Sequence, residues 1–176
     1  MREHTLARLA PKRLGHIYRL RGRIGYIYPP TGPGRGGVRV RLRVKSPRTG
    51  REVITSALVS SGYEAETPQL LVPRRLALEL GLWPPPEDAQ LLEFWTAGGP
   101  TRVYLVPQSL EVSVDAGDRI VGPVKCDAVV STTEYEVLIS DILGSNLGIV
   151  ILDLRGKWRF TDEDTVRVTE PPQYWF

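Results

Sequence analysis

Two serines and a glycine, Ser60-Ser61-Gly62, close the apolar run Ala57-Leu58-Val59 and are followed by Glu64 and Glu66. A hydroxyl at such a place becomes a nucleophile only when a base lies within hydrogen-bond reach. The two histidines, His4 and His16, both lie in the basic N-terminal region, and the Gly-x-Ser-x-Gly elbow is absent. Lys125 is a base in principle, but nothing around it singles it out. Local hydrogen bonding within a tight turn is therefore the expected use of Ser60 and Ser61. Carboxylates offer a second chemistry. Two that approach closely share one proton, so that one acts as base on a water and the other as acid. The candidates are Glu64, Glu66, Asp127, Asp141 and Asp153. Glu64 and Glu66 read as solvated loop residues. Asp141 reads as the first residue of a helix, where the dipole favours an acid.

Other chemistries are excluded more simply. Gly34-Arg35-Gly36-Gly37 lacks the Gly-Lys-Ser/Thr ending and the following helix of a phosphate loop. One cysteine, Cys126, precludes an internal disulfide framework, and with two histidines it does not suffice for a structural zinc site. No metal and no cofactor is expected. No run of eighteen apolar residues is present, so no membrane-spanning helix is expected. Residues 1–10 are charged and lack the apolar core of a secretory signal, which points to a cytoplasmic protein. The chain carries 19 Arg against 4 Lys, 15 Pro, one Asn and four Gln. That balance fits a thermophile protein, although a G+C-rich genome produces much of the same bias.

The net charge of +3 conceals an asymmetry. Residues 1–51 hold 14 Lys/Arg and one acid, whereas residues 52–176 hold 9 Lys/Arg and 19 acids. The basic segment either lies on the acidic body of its own or a twin chain, or it meets a polyanion such as nucleic acid. Its arginines are spread out and lack the aromatic motifs that stack bases. Arg39, Arg41 and Arg43 are the anion-binding candidates, with Glu111, Asp115 and Asp118 as possible internal partners.

The elements that must position these residues are mostly strands. Val38, Val40, Leu42 and Val44 alternate with Arg39, Arg41 and Arg43, the period of a half-buried strand with its arginines outward. Val53–Val59 returns across the Ser46–Gly50 turn as a hairpin. Ile17–Ile27 reads as a further strand, and residues 29–37, with four Gly and three Pro, as a loop. Leu70–Val72 precedes a helix that begins at Pro73, buries Leu76, Ala77 and Leu80, and ends at Gly81. Leu91–Ala97, Arg102–Val106, Leu110–Val114, Val124–Val130 and Tyr135–Ile139 read as strands. Asp141–Leu147 makes one or two helical turns behind the cap Ser140. Ile149–Asp153 and Trp158–Phe160 form a last hairpin. Three parts result: a basic N-terminal arm over 1–37, a barrel or sandwich over 38–160, and a tail over 161–176 that ends in Tyr174-Trp175-Phe176. The aromatic end docks either on its own barrel or into a seam between subunits.

In order and spacing, these pieces resemble the retropepsin-like (clan AA) aspartic protease family. The resemblance spans roughly residues 38–160. It is carried by Ala57-Leu58-Val59-Ser60-Ser61-Gly62, by Leu76-Ala77-Leu78-Glu79-Leu80-Gly81-Leu82, and by Thr96-Ala97-Gly98-Gly99. Val137-Leu138-Ile139-Ser140 and Leu147-Gly148-Ile149-Val150-Ile151-Leu152-Asp153 complete it. It implies a small closed acid-protease β-barrel with one or two short helices. It also implies a homodimer, because each chain of the family enzyme supplies one catalytic aspartate. A flap-like hairpin carrying Ala97, Gly98 and Gly99 would cover the cleft.

The departures decide the functional expectation. The family's catalytic aspartate falls on Ser60, its hydroxyl neighbour is kept as Ser61, and its turn glycine as Gly62. A hydroxyl does not titrate near neutral pH and cannot hold the shared proton. Ser140 stands where the family usually has glycine. The expectation is a non-catalytic homodimer that binds a peptide or protein in the inter-subunit cleft. Two alternatives stand beside it: a nucleic-acid or polyanion binder using the basic segment, and a peptidase with a displaced acid, Asp141 foremost.

Overall fold

The computed structural model describes residues 18–19 and 36–176. In chain order the elements are β1 (Tyr18–Arg19), β2 (Arg39–Ser46), β3 (Arg51–Val59), β4 (Gln69–Pro73), α1 (Arg74–Leu80), β5 (Gln90–Thr96) and β6 (Gly99–Asp115). They continue with β7 (Ile120–Ser131), β8 (Val137–Ile139), α2 (Asp141–Asn146), β9 (Ile149–Asp153), β10 (Lys157–Phe160) and β11 (Arg167–Val168). Most of the basic N-terminal arm, with the two histidines and most of the Ile17–Ile27 strand, lies outside the described residues; of that strand, Tyr18–Arg19 is described.

Six strands close on themselves in the order β6, β2, β3, β8, β4, β7 and back to β6. This is the mostly-β barrel with two short helices that the sequence suggested. Period two in β2 buries Val40, Leu42 and Val44 completely, and they meet Leu70, Val112 and Val130 from other strands in the interior. Burying each such side chain is worth about 1.5–3 kcal/mol. The β2–β3 hairpin sets Leu42 opposite Thr55. Helix α1 buries Leu76, Ala77 and Leu80. It stops at Gly81, whose φ of 75° lets Leu82 N–H reach the Ala77 carbonyl (2.8 Å). Pro73 sits one place before the helix, at its cap, rather than within it.

Two of the expected strands, Arg102–Val106 and Leu110–Val114, are one. Strand β6 runs for 17 residues and shifts register against β7 between Val106 and Leu110. Pro107 cannot donate to the ladder, and Gln108 takes φ 44° with its N–H bonded to Asp127 Oδ1 (2.7 Å). The bulge lets one strand serve two neighbours. Its first half pairs with β5, its second with β2, and both halves pair with β7.

One topological feature positions the candidate site. Strands β3 and β4 are consecutive in sequence, yet β8 lies between them, parallel to β3 and antiparallel to β4. The chain leaving β3 therefore arcs over the end of β8 before it returns as β4. Residues 60–68 make that arc. A separate three-stranded sheet, β11-β10-β9, follows α2.

Candidate functional site

The arc begins with Ser60-Ser61-Gly62, and the residues after β8 support it from below. Ser60 N–H donates to the Ile139 carbonyl (3.2 Å) and Tyr63 N–H to the Ser60 carbonyl (3.0 Å). Asp141 N–H donates to the Tyr63 carbonyl (2.9 Å). The Asp141 carboxylate closes the connection, with Oδ1 accepting from Ala65 N–H (3.1 Å) and Ile142 N–H (2.7 Å). Asp141 thus ties the arc to the start of α2. Ser60 is half-buried and Ser61 exposed. The turn is closed by local hydrogen bonding through backbone groups, Tyr63 N–H on the Ser60 carbonyl, and among the described residues neither hydroxyl takes part in it.

Ser140 has a different task. Its Oγ accepts from Leu143 N–H (3.2 Å), the expected helix cap, and also from Gln69 N–H (3.1 Å) at the start of β4. Ser140 N–H in turn donates to the Gln69 carbonyl (3.1 Å). A polar chain continues from there. Tyr63 OH donates to Gln69 Oε1 (2.9 Å), Gln69 Nε2 to Thr67 Oγ1 (3.2 Å), and Thr67 Oγ1 to Asp127 Oδ2 (2.7 Å). Asp127 Oδ1 holds the bulge at Gln108, so both of its oxygens are engaged. This chain joins the arc to the β6 bulge. The sequence offered no sign of it, since its members are ordinary polar residues scattered from 63 to 127. Asp153 accepts from Arg155 N–H (2.6 Å) in the β9–β10 turn. Glu64 and Glu66 are exposed on the arc.

The hairpin of β5 and β6 turns at Ala97-Gly98, with Thr96 opposite Gly99. Thr96 Oγ1 donates to the Gly99 carbonyl (2.8 Å) and accepts from Gly98 N–H (3.2 Å). The base of the hairpin joins the arc through aromatic packing. Phe94 of β5 meets the Tyr63 ring edge-on at 6.1 Å between centroids. Both belong to a satellite core with Leu71, Leu92, Val129 and Leu138, against which Ala65 packs. Ser60, Ser61, Gly62, Asp141 and the root of the Ala97-Gly98-Gly99 hairpin therefore share one region.

Arg39, Arg41 and Arg43 are elsewhere, and all three are engaged internally. Arg39 is 1% exposed and donates from Nε to Glu136 Oε1 (2.5 Å) and from Nη1 to the Gly36 carbonyl (2.9 Å). It lies on the outer face of β2 as alternation requires, yet it is buried, and the C-terminal tail bonds to its backbone. Arg39 N–H donates to Thr169 Oγ1 (2.7 Å), and Glu170 N–H to the Arg39 carbonyl (2.9 Å). Arg43 and Arg41 both contact Asp115, at 2.8 and 3.4 Å. The bond from Arg43, then that from Gly117 N–H, holds the Asp115 carboxyl below the usual carboxylate range. Asp118 pairs instead with Arg167 (2.8 Å). The outward arginines of β2 thus do not form a free basic stripe.

The tail docks on its own barrel. Trp175 Nε1 donates to Thr55 Oγ1 (3.0 Å), and Trp175 N–H to the Tyr135 carbonyl (2.8 Å). Gln173 Oε1 accepts from Ser56 N–H (3.1 Å) on the edge of β3. A groove of about 260 Å³ remains between Pro171-Pro172 and Ile54–Ser56.

Among the described residues no cluster of three His, Cys, Asp or Glu side chains is placed to hold a metal ion, and no helix is long and apolar enough to cross a membrane. Burial pushes the Cys126 thiol pKa up, so it is no thiolate nucleophile at neutral pH. Against known proteins, no family model matches the chain and no curated protein sequence matches it significantly.

Proposed function

We propose that this chain is a retropepsin-like scaffold without aspartic protease activity, acting as a homodimer that binds an extended peptide or protein segment in the cleft between subunits. The observation that carries the reading is the placement of Ser60. It opens an arc seated on the Ile139–Asp141 segment and packed, through Tyr63 and Phe94, against the root of a Gly-rich hairpin. In the family it resembles, that region would hold the catalytic aspartate, the segment beneath it and the flap. A hydroxyl there leaves a peptide-binding surface without the shared proton that activates water. Asp141 is employed in holding the arc, its Oδ1 accepting two backbone N–H groups. Strand addition is the recognition mode that such a hairpin offers.

The test is cleavage of an unfolded protein substrate from acidic to neutral pH, comparing the natural chain with Ser60→Asp, beside a light-scattering measurement of mass. The expected result is a dimer that is silent as the natural chain and cleaves at acidic pH as Ser60→Asp. Cleavage by the natural chain that a pepstatin-like inhibitor stops would overturn the non-catalytic reading. A monomer at all concentrations, silent in both forms, would overturn the scaffold reading.

A further inference from the structure

Strand β3 is paired unequally on its two sides. Val59 N–H donates to the Val38 carbonyl, and the register with β2 is continuous, so the odd residues of β3 turn their backbone groups toward β2. The even residues turn theirs the other way. On that side β8 pairs only with Ala57–Val59, which leaves Glu52, Ile54 and Ser56 beyond its reach. Ile54 is 52% exposed. A half-edge of aligned N–H and C=O groups is a template for a further strand.

Gln173 shows which chemistry this edge takes. Its Oε1 accepts from Ser56 N–H (3.1 Å), so a carboxamide stands where the carbonyl of a neighbouring strand would be. The tail backbone does not continue the ladder. It crosses the outer face, from Arg39, whose backbone bonds to Thr169 and Glu170, to Ser56. Pro171 and Pro172 lie on that path and have no N–H to give. The groove of about 260 Å³ remains between these prolines and Ile54–Ser56. At this groove Ser56 Oγ is buried with no hydrogen-bond partner. A hydroxyl left in that state is a cost that a better-matched neighbour removes. The tail thus caps the edge at one point without satisfying it.

We propose that the half-edge Glu52–Ser56 is a strand-addition site for an extended peptide, with Gln173 as its displaceable cap. Residues opposite one another in an antiparallel pair share a face. Ser56, Ile54 and Glu52 therefore call in turn for a hydroxyl, an aliphatic side chain and a cation at alternate positions, Thr-x-Val-x-Lys. Thr gives the Ser56 hydroxyl a partner, Val covers Ile54, and Lys meets the exposed Glu52. Arg41 and Glu170 also border the groove, with opposite charges. None of these residues belongs to the arc or to the Gly-rich hairpin. The site stands apart from the fate of Ser60 and requires neither the dimer nor the protease resemblance.

Amide NMR of the isotope-labelled full chain, titrated with acetyl-Gln-Thr-Gln-Val-Gln-Lys-Gln-amide, tests it. The expected result is saturable chemical-shift change at the Glu52, Ile54 and Ser56 amides. N-methylation of the peptide's Val, whose N–H faces β3, is expected to weaken binding about tenfold or more, and N-methylation of the Gln after it, whose N–H faces away, at most about twofold. Gln173→Ala leaves Ser56 N–H open and is expected to tighten binding several-fold. A peptide with Glu in place of Lys sets like charges opposite Glu52 and is expected to bind several-fold more weakly. No shift at the three amides up to about 5 mM peptide, or equal loss from the two N-methyl peptides, would overturn the site. Unchanged or weaker binding by Gln173→Ala would overturn the cap, and equal binding of the Lys and Glu peptides would overturn the side-chain assignment.

Discussion

Arg39 and Glu136, 97 residues apart in the chain, form an ion pair in which each side chain is 1% exposed. The pair joins the start of β2 to the approach to β8, and the C-terminal tail runs beside both residues, bonded to Arg39 at Thr169 and Glu170 and bridged to Glu136 at Tyr174. Two charges so completely removed from water are tolerated because they neutralise each other and find further hydrogen-bond partners. Removing only one leaves the other buried and uncompensated. Arg39→Met is therefore expected to destabilise the fold by about 3–5 kcal/mol, and Arg39→Met/Glu136→Leu to recover much of the loss. Urea unfolding of the two variants checks this; equal losses would mean that the pair itself stabilises the protein.

Ser140 bridges two elements with one hydroxyl. Ser140→Gly removes the acceptor for Leu143 N–H and leaves Gln69 N–H without its side-chain partner. Unsatisfied buried donors cost about 1–3 kcal/mol, and the expected loss lies in that range. Amide exchange should quicken at Gln69 and Leu143 before it does elsewhere.

Asp115 makes stability depend on acid. Its folded-state pKa is lowered, chiefly by the hydrogen bond from Arg43. A lowered carboxyl contributes stability that is fully present above its unfolded value of about 3.9 and is lost as pH falls through the folded value. The melting temperature is thus expected to fall below about pH 4. Asp115→Asn should lower it at neutral pH and flatten the acid limb. An unchanged acid limb in the variant would place the titrating group elsewhere.

Gly122 lies where β7 crosses the second half of β6. Its φ is 123°, and a β-carbon there would sit 2.8 Å from the Val112 carbonyl oxygen and 2.9 Å from Ser113 Cα. Both obstacles are backbone atoms of the paired strand, which cannot give way as the far end of a flexible side chain could. Gly122→Ala is expected to cost at least about 1–3 kcal/mol, measured by thermal unfolding.

Trp175 anchors the tail. Trp175→Ala loses the bond to Thr55 and the packing of a half-buried ring. A loss of about 1–3 kcal/mol is expected, below the 3–5 of a fully buried aromatic. The more specific readout is limited proteolysis, which should release the last residues of the variant first.

By itself the sequence determined the local elements and the interior faces. Period two in Val38–Val44 sufficed for β2, because alternate residues of a strand point to opposite faces whatever surrounds them. Gly81 and Ser140 marked helix ends, because the backbone groups left open there have few possible partners. Tertiary structure alone decided how those elements are used. Alternation sent Arg39 outward like Arg41 and Arg43, yet in the folded chain it is buried against Glu136, with the tail bonded to its backbone. The two expected strands at 102–106 and 110–114 became one, because a bulge whose Gln108 N–H is held by Asp127, 19 residues on, carries the ladder past Pro107. Ser60 was legible as a residue after a strand. That it opens an arc over β8, tied to Asp141 and facing Phe94 through Tyr63, depends on a strand some eighty residues later inserting between its neighbours. Periodicity and propensity act over a few residues, whereas pairing order and burial depend on contacts distant in sequence. The elements are therefore written locally, and the site they build is not.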